Sequence, residues 1–393
     1  MRLRNLILGP LISAGMTYCF CQPSQVAKGA APSAQETPPA AEIPATPLEI
    51  FSTNEVPGIP EPFIATPLCG PDNNSVVVQV ATATGLGDVL YISGDGKKVV
   101  RFSSFKITDV SKPVFKSYFV LDGGLYILAT STTQKDETTR FKTPSGKIVT
   151  QPAYSVKNYI VRFQLDGTYM GAIPLDVPFT PLQIGAFPGG EFLAAGRLTD
   201  GSHGPAIGLV KADGQFNRFV TLKGDIHRAR KGPADADDKA AGLPLFGTTY
   251  ERTLMGAESS SLIVPYGRNL LLIRSGQRVP IFSISPGGEV KTVTPDVPTG
   301  FTLFDLRAAR NQWTALYTRP TTDNPKDASI VMETYALDPE TGKAIARYSY
   351  PRFLGFGLAC SDGFEFTLLQ RQEKNLELVK LVPSRRASSD KQR

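Results

Sequence analysis

The sequence predicts an all-β chain built from repeated four-stranded units. Short runs rich in Val, Ile, Phe, Tyr and Thr recur between clusters of Gly, Pro and Asp, which is the composition of strands joined by tight turns. Long helical periodicity is nearly absent. Two hairpin motifs alternate along the chain, and this internal repetition is the strongest indication of fold class.

The first motif is an apolar strand that ends in Asp-Gly or a close variant. It occurs at residues 161–167, 207–214 and 281–288, with variants at 91–96 and 331–342. Asp-Gly and Gly-Gly favour hairpin turns because Gly adopts positive φ without a Cβ clash. Each copy therefore predicts two antiparallel neighbours.

The second motif is an inner hairpin around a short Gly-containing turn. Copies lie at residues 118–129, 184–195 and 356–369, and weaker ones surround Gly267, Asn311 and residues 71–74. One hairpin of each kind gives four strands per unit. The spacing of about 47 residues between Asp166 and Asp213 suits a four-stranded propeller blade. Two longer spacings contain polar or Gly/Pro-rich segments, 132–156 and 223–249, which we interpret as insertions.

The count of units predicts a six-bladed β-propeller with four-stranded blades. The last blade has only three strands of its own, and residues 47–53 are predicted to supply its outer strand, so that an N-terminal strand closes the ring. In this register Cys69 and Cys360 end the innermost strands of the first and last blades, where a disulfide would join the two ends of the ring; two buried thiols are the alternative. The blades are predicted to begin near Phe63, Phe115, Pro181, Thr253, Phe301 and Phe353.

The ends of the chain predict export. Residues 1–21 have the charge-then-apolar layout of a signal peptide, and residues 22–46 form an Ala/Pro-rich, disordered spacer. The propeller occupies residues 47–383, and residues 384–393 form a basic, disordered tail. The formal charge of +6 comes mostly from the two ends, which leaves a nearly neutral body. We therefore expect a secreted or periplasmic monomer that binds no nucleic acid and has no transmembrane segment after signal removal.

The repeat resembles the six-bladed propellers of the NHL-like and TolB-like kind. The matching residues are 120–127, Val-Leu-Asp-Gly-Gly-Leu-Tyr-Ile, and 161–167, Val-Arg-Phe-Gln-Leu-Asp-Gly. The resemblance covers nearly all of residues 47–383, is loose within each blade, and implies an architecture rather than a chemistry. Lactonase-like members hold a divalent metal with Glu, Asn and Asp at the channel mouth. The innermost strands here contain only one acid among the candidate channel-lining residues, so no metal or cofactor is predicted; these residues are Lys116, Gln183, Asp305, Arg307 and Arg352.

Few residues outside the channel indicate a chemistry. His203 and His227 lie in predicted loops, where two histidines do not make up a zinc site. An acidic cluster at residues 235–238 lacks the central Gly and distal Glu of a calcium loop. Arginines follow the second strand of four blades and are predicted to share one rim, where guanidinium groups bind carboxylates or phosphates by forked hydrogen bonds. This candidate ligand rim comprises Arg197, Arg274, Arg319 and Arg371.

Two functions remain open from the sequence. The first is a non-catalytic binding or scaffold protein whose rim and two insertions bind a protein or an anionic glycan or peptide in the cell envelope. The second is a channel-mouth hydrolase or lyase that uses Asp305 with Arg307 or Arg352. The alternative for Asp305 is a salt bridge that lines a wet channel.

Overall fold

The computed structural model describes residues 43–59, 67–82, 85–142, 148–199, 205–222, 263–273, 280–296, 301–309, 312–320, 330–350, 358–372 and 375–384. These residues form 24 strands and one short 3-10 helix, Ser104–Lys106. Among the described residues, no helix is long and apolar enough to span a membrane. The predicted signal peptide lies outside the described residues, as do residues 22–42 of the spacer and 385–393 of the tail.

The chain divides into two compact units. The strands lie in the larger unit, Ile43–Arg319 with Ile330–Arg393. The smaller unit is Met1–Glu42 with Pro320–Ser329, of which Pro320 alone is described, at the end of a strand. Four sheets have four strands each, hydrogen-bonded in chain order. The first sheet contains β2 (Leu68–Cys69), β3 (Val76–Thr82), β4 (Gly85–Ile92) and β5 (Val99–Phe102). The second contains β6 (Val114–Leu121), β7 (Gly124–Lys142), β8 (Ile148–Gln164) and β9 (Tyr169–Leu175). The third contains β10 (Phe179–Ala186), β11 (Phe192–Leu198), β12 (Pro205–Val210) and β13 (Phe216–Phe219). The fourth contains β14 (Ile263–Tyr266), β15 (Asn269–Leu272), β16 (Ile281–Ile284) and β17 (Val290–Val293).

The fifth sheet has eight strands and includes the N-terminal strand β1 (Ala45–Val56). β1 pairs antiparallel with the last strand of the chain from Leu48 to Val56, and its first residues pair parallel with β21. The predicted outer strand at residues 47–53 thus lies within β1 and pairs as expected. The other members are β18 (Thr302–Ala309), β19 (Gln312–Pro320), β20 (Ile330–Leu337), β21 (Ala344–Ser349), β22 (Leu358–Ser361), β23 (Phe366–Gln372) and β24 (Asn375–Pro383).

The sheets are arranged as a β-propeller. The first strands β2, β6, β10, β14, β18 and β22 contact one another in chain order, and β22 contacts β2. Such contacts place these strands around a common centre, with the later strands of each sheet farther out. Two predicted hairpin turns are confirmed: Asp122-Gly123 joins β6 to β7, and Asp166-Gly167 joins β8 to β9.

Neighbouring sheets contact each other through a glycine turn. The turn that precedes the fourth strand of one sheet packs on the fourth strand of the sheet before it in the chain. At Gly214, with φ of 88°, a Cβ atom would lie 1.9 Å from the carbonyl oxygen of Pro174 at the end of β9. The amide of Asp176 donates to the Gly214 carbonyl at 3.0 Å, so the contact is also a backbone hydrogen bond. Equivalent close approaches join Gly96 to Glu55, Gly167 to Val100, Gly288 to Arg218, and Gly342 to Thr294.

The core fills the spaces between the sheets. Alternate residues of each strand point to opposite faces, and both faces of the middle strands are apolar, as in Leu270, Leu271 and Leu272 of β15, all buried. On β1, Leu48 and Val56 are buried against the C-terminal strands and the first sheet. Burial of a Leu side chain contributes about 2 kcal/mol, so β1 is part of the core rather than a loose extension.

A disulfide joins Cys69 of β2 to Cys360 of β22, whose Cα atoms are 4.8 Å apart. This is the pairing that the repeat register predicts. It links the first four-stranded sheet to the last strands of the chain, 291 residues away in sequence.

The predicted insertion 132–156 belongs to the second sheet, where β7 continues to Lys142 and β8 begins at Ile148. Its described residues pair across the two strands, with a register shift between Gln134 and Thr138. β6 and β9 pair with these strands only as far as Thr130 and Asn158, so the segment extends beyond the four-stranded sheet, as an insertion does. The second predicted insertion, 223–249, lies outside the described residues.

Candidate interaction site on the second sheet

A two-stranded ribbon extends from the second sheet. We define the ribbon as residues 131–142 of β7 and 148–157 of β8. β6 pairs with β7 only as far as Thr130, and β9 pairs with β8 only as far as Asn158. Beyond these two residues, β7 and β8 pair with each other and with no other strand among the described residues.

One face of the ribbon carries exposed apolar side chains. Ile148, Tyr154 and Val156 have exposed fractions of 68%, 52% and 57%. They are separated by even numbers of residues on β8, so they share a face. Tyr154 pairs with Gln134 and Val156 pairs with Thr132, and cross-strand partners lie on the same face, so the apolar side chains have only polar neighbours across β7.

The two edges of the ribbon differ in charge. The β7 edge carries Lys135, Asp136, Glu137 and Arg140, with a register shift among them. The β8 edge has no charged residue from Ile148 to Val156 and keeps a continuous strand. The sequence predicts that the insertion 132–156 binds a partner, but not that Ile148, Tyr154 and Val156 form an exposed face, although their alternation with polar residues is the signal of a strand.

The predicted channel residues Asp305 and Arg307 form a buried ion pair on β18. The guanidinium Nη1 and Nη2 donate to the two carboxylate oxygens at 2.5 and 2.8 Å, and both side chains are about 5% exposed or less. The Leu306 amide also donates to Asp305, at 2.8 Å. Burial raises the pKa of Asp305 to about 6, although Arg307 opposes the shift by favouring the carboxylate.

Arg307 also ties three parts of the chain together. Its Nε donates to the carbonyl of Ala359 at 2.9 Å, and Nη2 donates to the carbonyls of Leu358 at 2.7 Å and Pro67 at 2.5 Å. The side chain thus reaches from β18 to β22 and to the residue before β2. With Asp305 it makes a buried junction, and the salt bridge that the sequence offered as the alternative for Asp305 is present.

The other predicted channel residues occupy the first strands of their sheets. Lys116 lies at a register shift of β6, and Gln183 follows a similar shift in β10, as Asp305 does in β18. Both side chains are half-buried. β-Bulges re-aim side chains, so this repeated shift gives the three sheets a common local geometry near the start of their first strands. Arg352 lies outside the described residues.

The rim arginines have separate surroundings. The guanidinium of the exposed Arg319 lies 5.0 Å from the centre of the Phe301 ring, which is a cation–π contact within its own sheet. Arg371 donates to the carbonyl of Ile59 at 3.3 Å, and Arg197, near the end of β11, is half-buried. Arg274 lies outside the described residues. The ligand ring therefore stays a prediction, and of its three described members Arg319 is the exposed one.

A cavity of about 220 Å³ lies near the carboxyl ends of the first strands, away from the register shifts. Its wall is mostly apolar, and Leu68, Phe119, Ile263 and Ala308 contribute to it. The buried side chains of Ser361 and Arg307 also line the cavity. Ser361 already bonds Thr314 at 3.0 Å, and Arg307 bonds Asp305 and three backbone carbonyls outside β18, so both groups are engaged within the protein.

The predicted loop residues His203, His227, Asp235, Asp237 and Asp238 lie outside the described residues. Within the described ranges, no group of three or more His, Cys, Asp or Glu side chains is positioned to hold a metal ion.

No protein-family model and no curated protein matches the sequence. Solved structures give distant matches. A protein of unknown function from Dyadobacter fermentans has 10% identity and a TM-score of 0.46, with 86% of this chain and 99% of that chain covered. YCF48 bound to D1 peptide has 11% identity and a TM-score of 0.39, with 88% and 99% covered. The WD40 β-propeller domain of Doa1 has 10% identity and a TM-score of 0.35, with 86% and 98% covered.

Proposed function

We propose that this chain is an exported, non-catalytic binding protein, a six-bladed propeller that holds a protein partner on its ribbon. The observation that carries this proposal is the ribbon face with Ile148, Tyr154 and Val156 exposed. Export is proposed from the sequence of residues 1–21 alone.

An exposed apolar face on the ribbon is costly in water. A two-stranded ribbon is marginally stable in water, and large apolar side chains on it gain nothing from the ribbon's own fold. Burial under a partner would stabilise the complex by about 2 kcal/mol for each side chain. Tyr154 and Val156 are neighbours on the exposed face, and Ile148 lies about 20 Å farther along the same strand, so the apolar side chains line one face of the ribbon in a polar surround, as residues of an interaction site do.

Three observations support six blades. The six first strands contact one another in sequence, and the contact of β22 with β2 completes the cycle. Gly96 packs on Glu55 of β1 as Gly214 packs on Pro174 of β9, which gives β1 the position of an outer strand. The eight-stranded sheet then consists of two blades, β18–β21 and β22–β24 with β1, that β1 joins through its parallel pairing with β21.

Binding is favoured over a channel-mouth hydrolase by the state of the proposed catalytic groups. Arg307 uses its N–H groups on Asp305 and on backbone carbonyls, and Asp305 is 4% exposed. A general acid or base has to reach substrate within hydrogen-bond distance. This pair is instead placed to hold neighbouring strands together.

The experiment is quantitative capture of partners from the cell envelope of the source organism after cross-linking. The ribbon variant carries Ile148→Thr, Tyr154→Thr and Val156→Thr. Its matched control carries Phe105→Thr, Ile345→Thr and Phe364→Thr, which replace side chains with exposed fractions of 96%, 56% and 71% outside the ribbon. We expect the ribbon variant to lose a defined set of proteins at least about tenfold while the control retains them. Identical capture by both variants would overturn the proposal.

A further inference from the structure

We propose that the free edge of β8, residues 148–157, binds an extended and uncharged segment of the partner as an added β-strand. This inference rests on the proposed function, because it specifies how the same ribbon binds. The edge here means the side of β8 that faces away from β7.

The edge of β8 has backbone groups that pair with no described strand. Alternate residues of a strand direct their amide and carbonyl groups to opposite neighbours. Between Ile148 and Lys157, β8 has β7 on one side, and no described strand pairs with it on the other. A row of backbone donors and acceptors on that side is therefore available to another chain.

The two edges of the ribbon differ in how they are protected against strand addition. Proteins protect exposed edges with charges, bulges or Pro, and the β7 edge has charges and a register shift, both near Asp136. The β8 edge has Pro152 as its single protective residue between Ile148 and Val156. One edge of the same ribbon is thus closed to strand addition and the other is left open, which indicates a use for the open edge.

The exposed apolar face and the uncharged edge together define the chemistry of the partner segment. An added strand would place alternate side chains about 5 Å from Ile148, Tyr154 and Val156. Apolar, β-branched or aromatic residues at those positions would cover the exposed face. The edge offers no countercharge before Lys157, so charged residues within the segment would lose hydration without a partner. The segment is therefore an uncharged strand of alternating apolar and polar residues.

The test uses a labelled peptide of about ten alternating Thr and Val residues, whose binding to the full chain is followed by fluorescence anisotropy. Two further peptides carry N-methyl groups on alternate amides, one on each edge of the strand. Strand addition uses one edge of the peptide, so we expect one methylated peptide to bind at least about tenfold more weakly and the other to bind as the parent does. Hydrogen exchange should slow in residues 148–157 when the parent peptide is bound.

A variant in which Asn-Gly replaces residues 132–156 serves as the control, because the pairing of Thr130 with Asn158 is kept. We expect it to fold, as judged by fluorescence of the single Trp313, and to bind none of the peptides.

Absence of binding by the parent peptide, or equal binding of the two methylated peptides, would overturn strand addition. If the ribbon variant still loses its captured partners in that case, the proposed function stands and only the mode of binding is wrong. A concentration-dependent dimer of the chain alone, with slowed exchange at residues 148–157, would show that a second copy occupies the edge and would also overturn the inference.

Discussion

The buried pair of Asp305 and Arg307 predicts an unusual dependence of stability on pH. Burial raises the pKa of Asp305 from 3.8 to about 6 in the folded chain, while the unfolded chain keeps the ordinary value. Between these values the folded state binds more protons than the unfolded state. The free energy of unfolding contributed by this group is therefore greatest below about pH 4 and is lost as the pH rises through about 6.

The magnitude follows from the two pKa values. A difference of about two pKa units corresponds to roughly 3 kcal/mol between the fully protonated and fully ionised limits. Between about pH 4.5 and pH 6.5 the expected loss is roughly 2 kcal/mol. The aspartates of the hairpin turns act in a separate window, because hydrogen bonds lower the pKa of Asp95, Asp166 and Asp338 below 3.8.

The assay is urea unfolding followed by the fluorescence of Trp313, the single tryptophan, which is buried on β19 beside β18. We expect the free energy of unfolding to fall by roughly 2 kcal/mol across this interval. The double variant Asp305→Leu with Arg307→Met should lack the slope, because no titrating carboxyl remains at this site; it also removes the Arg307 bonds to three backbone carbonyls outside β18, so we expect it to be less stable than wild type at every pH. The single variant Arg307→Met should lose about 3–5 kcal/mol at pH 7, because it leaves a buried carboxylate without a counterion. A wild-type stability that rises over the interval, or a slope kept by the double variant, would refute the reasoning.

Two further predictions concern the packing between sheets and the disulfide. Replacing Gly214 by Ala should lower the free energy of unfolding, measured by denaturant titration, by more than about 2 kcal/mol, because the Cβ would lie 1.9 Å from the Pro174 oxygen. The control is Gly267→Ala, which also has positive φ but has no atom within 4 Å, so it measures the smaller cost of the backbone angle alone. The double variant Cys69→Ser with Cys360→Ser should lose up to about 5 kcal/mol, since the bridge closes a very long loop, and unchanged thermal unfolding in reducing buffer would contradict this.

The parts of the fold that the sequence predicts correctly are those set by local chemistry. Turns such as Asp122-Gly123 and Asp166-Gly167 have residues that accept the required backbone angles, and both are in the predicted places. The pairing of β1 with β24 was also predictable, because the last group of strands lacks an outer member and an edge of that kind needs cover.

The candidate site was harder to predict, because it depends on what packs against each strand. The composition of residues 132–156 is polar enough for a loop, yet the two halves pair because each supplies strand-forming residues such as Thr133 and Val156. A charged residue in the apolar strand β18 indicated a site with a partner, and the sequence left catalysis and a salt bridge open for Asp305. The structure shows that its partner is Arg307, two residues away on the same strand, and that both side chains are buried.

The pairing of β1 with β24 also sets a temporal order. β1 is synthesised before every other described strand and its antiparallel partner β24 after all of them, so β1 has no antiparallel neighbour until β24 has been made. Contacts between such distant residues form slowly, and chains without β24 expose strand edges in the meantime. Synthesis of β24 thus becomes a condition for the pairing of β1, and a shortened product that lacks β24 is expected to be recognised by chaperones and proteases rather than to accumulate.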